Sequence, residues 1–155
     1  MGQLKAWRIT KQRLSKSAFS GEGAFRYGGR WNSPGTRVVY LASNQALAAL
    51  EVLVNTENKD DLVRIPYVLI SVEFNEGWVK KPDKLPKDWA ANPAPPSAAR
   101  AGDLWVIANS SALLEVPSAV IQTEKNFLLN PAHPDFRNVR IGKPEPFGFG
   151  PRVWS

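Results

Sequence analysis

Cysteine is absent from the 155 residues, and histidine occurs once, as His133. The first absence excludes a disulfide framework, a thiol nucleophile and any thiolate metal site, and it fits a reducing compartment. The second excludes a multi-histidine metal centre and leaves a Ser-His-Asp triad with a single candidate base. Also missing is an apolar run of about 18 residues, the length a membrane span needs. Residues 1–20 lack the apolar stretch of a secretory leader. Met1-Gly2 opens as a myristoylation signal does, but Ala6 stands where that signal wants Ser or Thr. These absences together lead to the expectation of a soluble, cytoplasmic protein.

What is present is basic and foldable. Twenty Lys and Arg against 14 Asp and Glu leave a net charge of +6. Such a balance attracts nucleic acid, an acidic protein partner or a polyanionic small molecule. The positive residues are scattered, with no block of five like charges, so most of them read as a solvated surface. The chain is 43% hydrophobic and 22% charged, which is a globular composition. Its length predicts one domain, residues 1–155. Thirteen prolines and eleven glycines point to short elements joined by many turns.

The most informative stretch is Gly21–Asn55. Gly21, Gly23, Gly28 and Gly29 form a glycine-rich loop that carries Arg26 and Arg30. Glycine lets a backbone approach a ligand closely. Asn32-Ser33-Pro34-Gly35 reads as a turn, Arg37–Leu41 as a short buried strand, and Ser43 or Asn44 as the cap of a helix reaching about Val54. At about 100° per residue, Leu47, Leu50, Glu51 and Val54 share one helix face. A carboxylate on an apolar stripe demands a partner. The loop arginines are the expected partners, and an Arg and a Glu converging on a glycine-rich loop suit a ligand with phosphates and a polar sugar. A purely structural ion pair explains the same pattern.

Elsewhere, Leu4–Ile9 predicts a first strand in which Trp7 and Ile9 face the core and Arg8 faces the other surface. Thr10–Ser20 reads as irregular or one helical turn. Tyr67–Phe74 alternates most clearly, with Val68, Ile70, Val72 and Phe74 on one face. Gly77–Arg100 holds five prolines and reads as a long loop anchored by Trp78 and Trp89. Asp103 is expected to cap a short helix over Leu104–Ala108. Ala112–Val116, Ala119–Thr123, Asn126–Asn130 and Val139–Ile141 are expected as strands or short apolar segments, before a tail with Phe147, Phe149 and Trp154. Strands outnumber helices and do not alternate with them, which argues α+β with a largely antiparallel or mixed sheet. Gly28-Gly29-Arg30 matches neither a phosphate P-loop nor a dinucleotide fingerprint, since it lacks the first pattern and precedes its strand.

Several stretches resemble the RES-domain family, the toxin half of bacterial RES–Xre toxin–antitoxin pairs. They are Trp7-Arg8-Ile9, GGRWNSPG (Gly28–Gly35) with VVYLA (Val38–Ala42), and ALAALEVLV (Ala46–Val54). LPKDW (Leu85–Trp89), GDLW (Gly102–Trp105), EVPSAV (Glu115–Val120) and EKNFLLNPAHPDF (Glu124–Phe136) follow in the expected order. Trp7 stands where many members have Tyr.

The resemblance implies a fold similar to ADP-ribosyltransferase toxins: two packed, mostly antiparallel or mixed sheets with flanking helices around an NAD cleft. It implies an enzyme that takes NAD as substrate and splits nicotinamide from ADP-ribose, causing growth arrest. By this resemblance Glu51, Arg30, Tyr40 and Ser118 are expected to be catalytic, and Arg8, Arg30, Tyr40, Ser118 and Asn126 to bind NAD, with no metal. An Xre-type antitoxin is the expected partner, covering the Arg30–Glu51 cleft. Neither direct nucleic-acid binding nor membrane association is expected.

The chemistry is consistent with that expectation. Nicotinamide leaves NAD as a neutral molecule from a cationic ring, so no general acid is required. The barrier lies in an oxocarbenium-like ribose, which a carboxylate stabilises. Arginines bind pyrophosphate through bidentate contacts. Tyr40 has the alternative of a core residue with a satisfied hydroxyl, Ser118 that of a turn serine, and His133 reads as structural. Hydrolysis, phosphorolysis and transfer to a protein acceptor remain open. Two further alternatives are a ribonuclease toxin and a non-catalytic basic binding module.

Overall fold

The computed structural model describes residues 2–153, and Trp154 lies outside them. In chain order the strands are β1 (Gln3–Lys11), β2 (Val39–Ala42), β3 (Tyr67–Asn75), β4 (Val79–Lys80), β5 (Leu113–Pro117), β6 (Lys125–Leu129), β7 (Arg140–Ile141) and β8 (Glu145–Phe147). The helices are α1 (Glu22–Tyr27), α2 (Gln45–Asn55), α3 (Asp61–Arg64) and α4 (Pro96–Ala108).

Strict alternation builds the spine of the sheet. Val68, Ile70, Val72 and Phe74 of β3 are all buried, and β3 pairs antiparallel with β1 from Gln3↔Asn75 to Lys11↔Tyr67. The hydrogen-bonded order is β4-β5-β6-β2-β1-β3-β7, with β8 also on β3. Every pair is antiparallel except β4–β5.

The sheet is strongly curled. Phe74 of β3 and Phe127 of β6 meet edge to face with centroids 5.3 Å apart. In a flat sheet β6 and β3, with β2 and β1 between them, would lie about 14 Å apart. Ala6, Val39, Leu41, Leu113 and Leu129 join those rings in the enclosed core. The two packed sheets expected from the resemblance are therefore two halves of one continuous path. On the outer face, α2 closes a cluster with Ile9, Ala42 and Leu62, while α4 and Trp31 close another over Leu114, Val116 and Leu128.

Local chemistry sets the helix ends. The Asn44 side chain accepts from Leu47 N at 2.8 Å, capping α2 as its residue type favours. Asn44→Ala is expected to cost about 1 kcal/mol, read as a lower urea midpoint at unchanged slope. α4 starts at Pro96, where a missing N–H costs nothing, and stops at Asn109 in the left-handed region with φ 52°. The expected short helix with Asp103 as its cap is thus corrected. Asp103 lies inside α4, and its carboxylate accepts from Ser33 N at 2.9 Å.

Other expectations change as well. The glycine-rich stretch is not all loop, because Glu22–Tyr27 forms α1 between Gly21 and Gly28, which have φ of 76° and 74°. Ala119–Thr123 is not a strand, because the Ser118 hydroxyl accepts from the amides of Val120 and Ile121 and turns the chain. α3, β4 and β8 have no counterpart in the sequence reading, β4 falling within the stretch expected as a long loop.

One close approach locks α4 to the loop before β2. A Cβ on Gly102 would sit 1.7 Å from the Trp31 carbonyl oxygen. Gly102→Ala is expected to destabilise the protein by about 3 kcal/mol. An unchanged thermal unfolding midpoint in that variant would refute the contact.

Candidate active site

The site begins as a break in the sheet. β1 and β2 are joined at a single pair, Trp7↔Ala42, although each is fully laddered on its other side. Beyond that pair the strands separate, and a cleft of about 1300 Å³ opens. It is larger than a typical small-molecule pocket of about 300–1,000 Å³.

Arg8 spans the seam. Trp7 and Ile9 pack on the α2 cluster, so alternation sends Arg8 the other way. Its Nη1 donates to the Tyr40 carbonyl at 3.1 Å. Its Nε is fully enclosed and has no partner among the described residues. Burial brings the guanidinium down to about 10, so Arg8 stays charged at neutral pH but at a cost.

α2 carries the carboxylate. The expectation that Glu51 lies on the buried stripe is corrected. The helix buries Leu47 and Ala48 and packs Ala49, Val52 and Leu53 on the sheet, while Glu51 and half-exposed Val54 line the cleft. Nor does an arginine pair with it among the described residues. Asn126 Nδ2 donates to Glu51 Oε2, from the strand register opposite Ala42. The Asn126 carbonyl oxygen is enclosed without a partner among the described residues. A carboxylate and an unsatisfied amide carbonyl thus stand side by side as acceptors for ligand hydroxyls.

Tyr40 and Arg30 form the opposite side. The Tyr40 hydroxyl donates to Asn32 Oδ1 at 2.7 Å and accepts from Trp31 N at 3.0 Å. Burial pushes that hydroxyl up, so it is neutral, and both its bonds are internal. Tyr40 still lines the cleft. Asn32, only 1% exposed, also donates to the carbonyls of Ala24, Ser33 and Thr36. It organises the whole loop, a role hidden in a motif that reads as a simple turn. Arg30 lines the cleft too, but its Nη1 donates to the carbonyls of Trp89 and Ala91, each at 2.8 Å.

The structure therefore brings Arg8, Arg30, Tyr40, Glu51 and Asn126 into one cleft. Ser118 stands outside it. Ser118 is fully buried, and its hydroxyl shapes the turn that presents Ala119 and Val120 to the cleft wall. Among the described residues, no three His, Cys, Asp or Glu side chains cluster as metal ligands, and no helix is long and apolar enough to cross a membrane.

A split sheet whose seam offers guanidinium groups beside a carboxylate has the chemistry to receive a small ligand bearing both phosphate and hydroxyl groups. The chain belongs to the RES domain family, whose profile matches residues 5–150. It is 37% identical over 148 residues to "Toxin Res" of Yersinia enterocolitica, covering 95% of this chain and 97% of that one. It is also 37% identical over 154 residues to "Prs ADP-ribosylating toxin" of a Sphingobium species, covering 95% and 94%. In fold it matches a chain from the crystal structure of the M. tuberculosis MbcT–MbcA toxin–antitoxin complex. That match has a TM-score of 0.76 at 16% identity and covers 95% of this chain and 85% of that one.

Proposed function

We propose that this protein is the toxin of a toxin–antitoxin pair and that it consumes NAD at the β1–β2 seam. The observation that carries this reading is the unpartnered Nε of Arg8 in a cleft also lined by Glu51. An enclosed cationic donor without an acceptor fits a phosphate oxygen. Family membership and the toxin names of its relatives support the biological role.

In this mechanism Arg8 and Arg30 hold the pyrophosphate. Tyr40 walls the cleft, and Asn126 orients Glu51. The nicotinamide–ribose bond breaks with its electron pair going to the ring nitrogen, so nicotinamide leaves neutral. Glu51 faces the oxocarbenium-like ribose that remains and stabilises its positive charge. With water as nucleophile, NAD⁺ and H₂O give ADP-ribose, nicotinamide and one proton. With inorganic phosphate (HPO₄²⁻), the products are nicotinamide, ADP-ribose 1″-phosphate and one proton. No metal is used.

A second reading, transfer of ADP-ribose to a protein, is favoured by the relative named an ADP-ribosylating toxin. Nicotinamide release in plain buffer, with phosphate, and with cell lysate separates these acceptors. Release in any of the three rules out the ribonuclease and binding-module readings, and failure in all three rules out NAD cleavage. The proposed location is the cytoplasm, where NAD is available. The proposed silencing partner is an Xre-type antitoxin whose segment fills the cleft. Leu14 and Val54, exposed apolar residues on the cleft lining, offer it an apolar foothold. Unchanged NAD turnover in excess antitoxin would remove that proposal.

A further inference from the structure

We infer that Trp89 is a positioning residue that aims the guanidinium of Arg30 at the ligand, an inference resting on the dinucleotide reading above. The chain between β4 and α4 has no strand or helix, yet it forms part of the cleft wall through Ala90, Asn92, Pro93 and Ala94. Its anchor is the ring of Trp89, stacked on Trp31 with centroids 6.2 Å apart and planes 24° apart. Trp31 is itself 3% exposed and wedged against Gly102 of α4. The anchor is therefore rigid, and it joins the residue next to Arg30 to the residue whose carbonyl Arg30 binds.

The hydrogen-bond arithmetic shows what this anchor achieves. A guanidinium has five N–H groups, two of them on Nη1. The carbonyls of Trp89 and Ala91 take both Nη1 hydrogens. Two fixed acceptors on one nitrogen set the plane of the group. The Nε–Nη2 edge, which makes no hydrogen bond among the described residues, is the fork that suits two phosphate oxygens. Carbonyls orient the cation without cancelling its charge. A carboxylate partner would have neutralised it, and Arg30 has no ion pair among the described residues. The turn Trp89–Ala91 thus works as a template: it spends one end of Arg30 to aim the other.

The test is calorimetric titration of the protein with ADP-ribose, together with KM and kcat for NAD. Trp89→Ala is expected to weaken ADP-ribose binding about tenfold, and the same loss should be absent when Arg30→Ala is already present. KM for NAD should rise by the same factor with kcat nearly unchanged, since the pyrophosphate contact is made equally in ground and transition states. Trp89→Phe keeps a flat ring on Trp31 and should restore binding to within about threefold of wild type. Trp89→Leu, which keeps apolar volume without a flat ring, should behave as the alanine variant and serves if that variant does not fold. Wild-type affinity in the folded alanine or leucine variant, or an equal loss with and without Arg30, overturns the positioning role. An unsubstituted protein that fails to bind ADP-ribose overturns the dinucleotide reading instead, and this inference with it.

Discussion

Glu51→Gln is expected to slow nicotinamide release about a thousandfold while leaving ADP-ribose affinity within about threefold. The substitution isolates charge from shape. Asn126 Nδ2 donates to Glu51 Oε2, and a glutamine carbonyl accepts the same bond. The side chain therefore keeps its place on α2, and only the negative charge that the proposed mechanism sets opposite the oxocarbenium is lost. A thousandfold corresponds to about 4 kcal/mol of transition-state stabilisation, in the range measured for one well-placed electrostatic group. Measuring kcat and ADP-ribose affinity side by side checks it. A variant retaining more than a tenth of wild-type turnover would move the chemistry away from Glu51.

Arg8→Met should act in two opposite directions. ADP-ribose binding is expected to fall about a hundredfold, since the proposed charge-assisted phosphate contact is removed. The free protein, in contrast, is expected to gain about 1 kcal/mol of stability. Arg8 gives up one hydrogen bond, to Tyr40 O, but its removal also removes a buried cation whose Nε has no acceptor among the described residues. The direction follows from proton linkage. Burial lowers the folded-state value of Arg8 from the ordinary arginine range to about 10. Below about 10 both states are protonated and the folded state carries the full burial cost. Stability from this group rises only as pH climbs above about 10 towards the ordinary arginine value, where the unfolded chain holds the extra proton. At neutral pH, deleting the charge therefore relieves a penalty. Urea unfolding with and without ADP-ribose checks both halves. A free variant less stable than wild type would mean that the charge is already compensated.

The elements legible from sequence are those whose signal is local. The period of two in β3 and the Asn44 cap before an apolar run gave their elements nearly to the residue. Proline and glycine misled because their meaning depends on position. Pro96 opens α4 where prolines suggest only loop, and Gly21 and Gly28 bracket a helix where four glycines suggest none. Asp103 looks like a cap, but its partner is an amide that lies far away in sequence, Ser33 N. In the site, the residue types were legible but their pairing was not. Glu51 and Arg30 pointed to each other by charge, whereas Asn126 takes the first and two carbonyls take the second. A backbone carbonyl has no residue type, so no pattern of side chains announces it.

The single-pair junction of β1 and β2 has a mechanical consequence. It divides the sheet into a β4-β5-β6-β2 leaf and a leaf of β1, β3, β7 and β8. Arg8 belongs to the second leaf, and Tyr40 and Asn126 to the first. A ligand gripped by both is a rivet as well as a substrate. Amide hydrogens along the open edges should then exchange with deuterium quickly in the empty protein and slowly in the filled one. An antitoxin segment seated in the same seam would rivet the leaves in the same way, so the silenced toxin would also be the mechanically closed one.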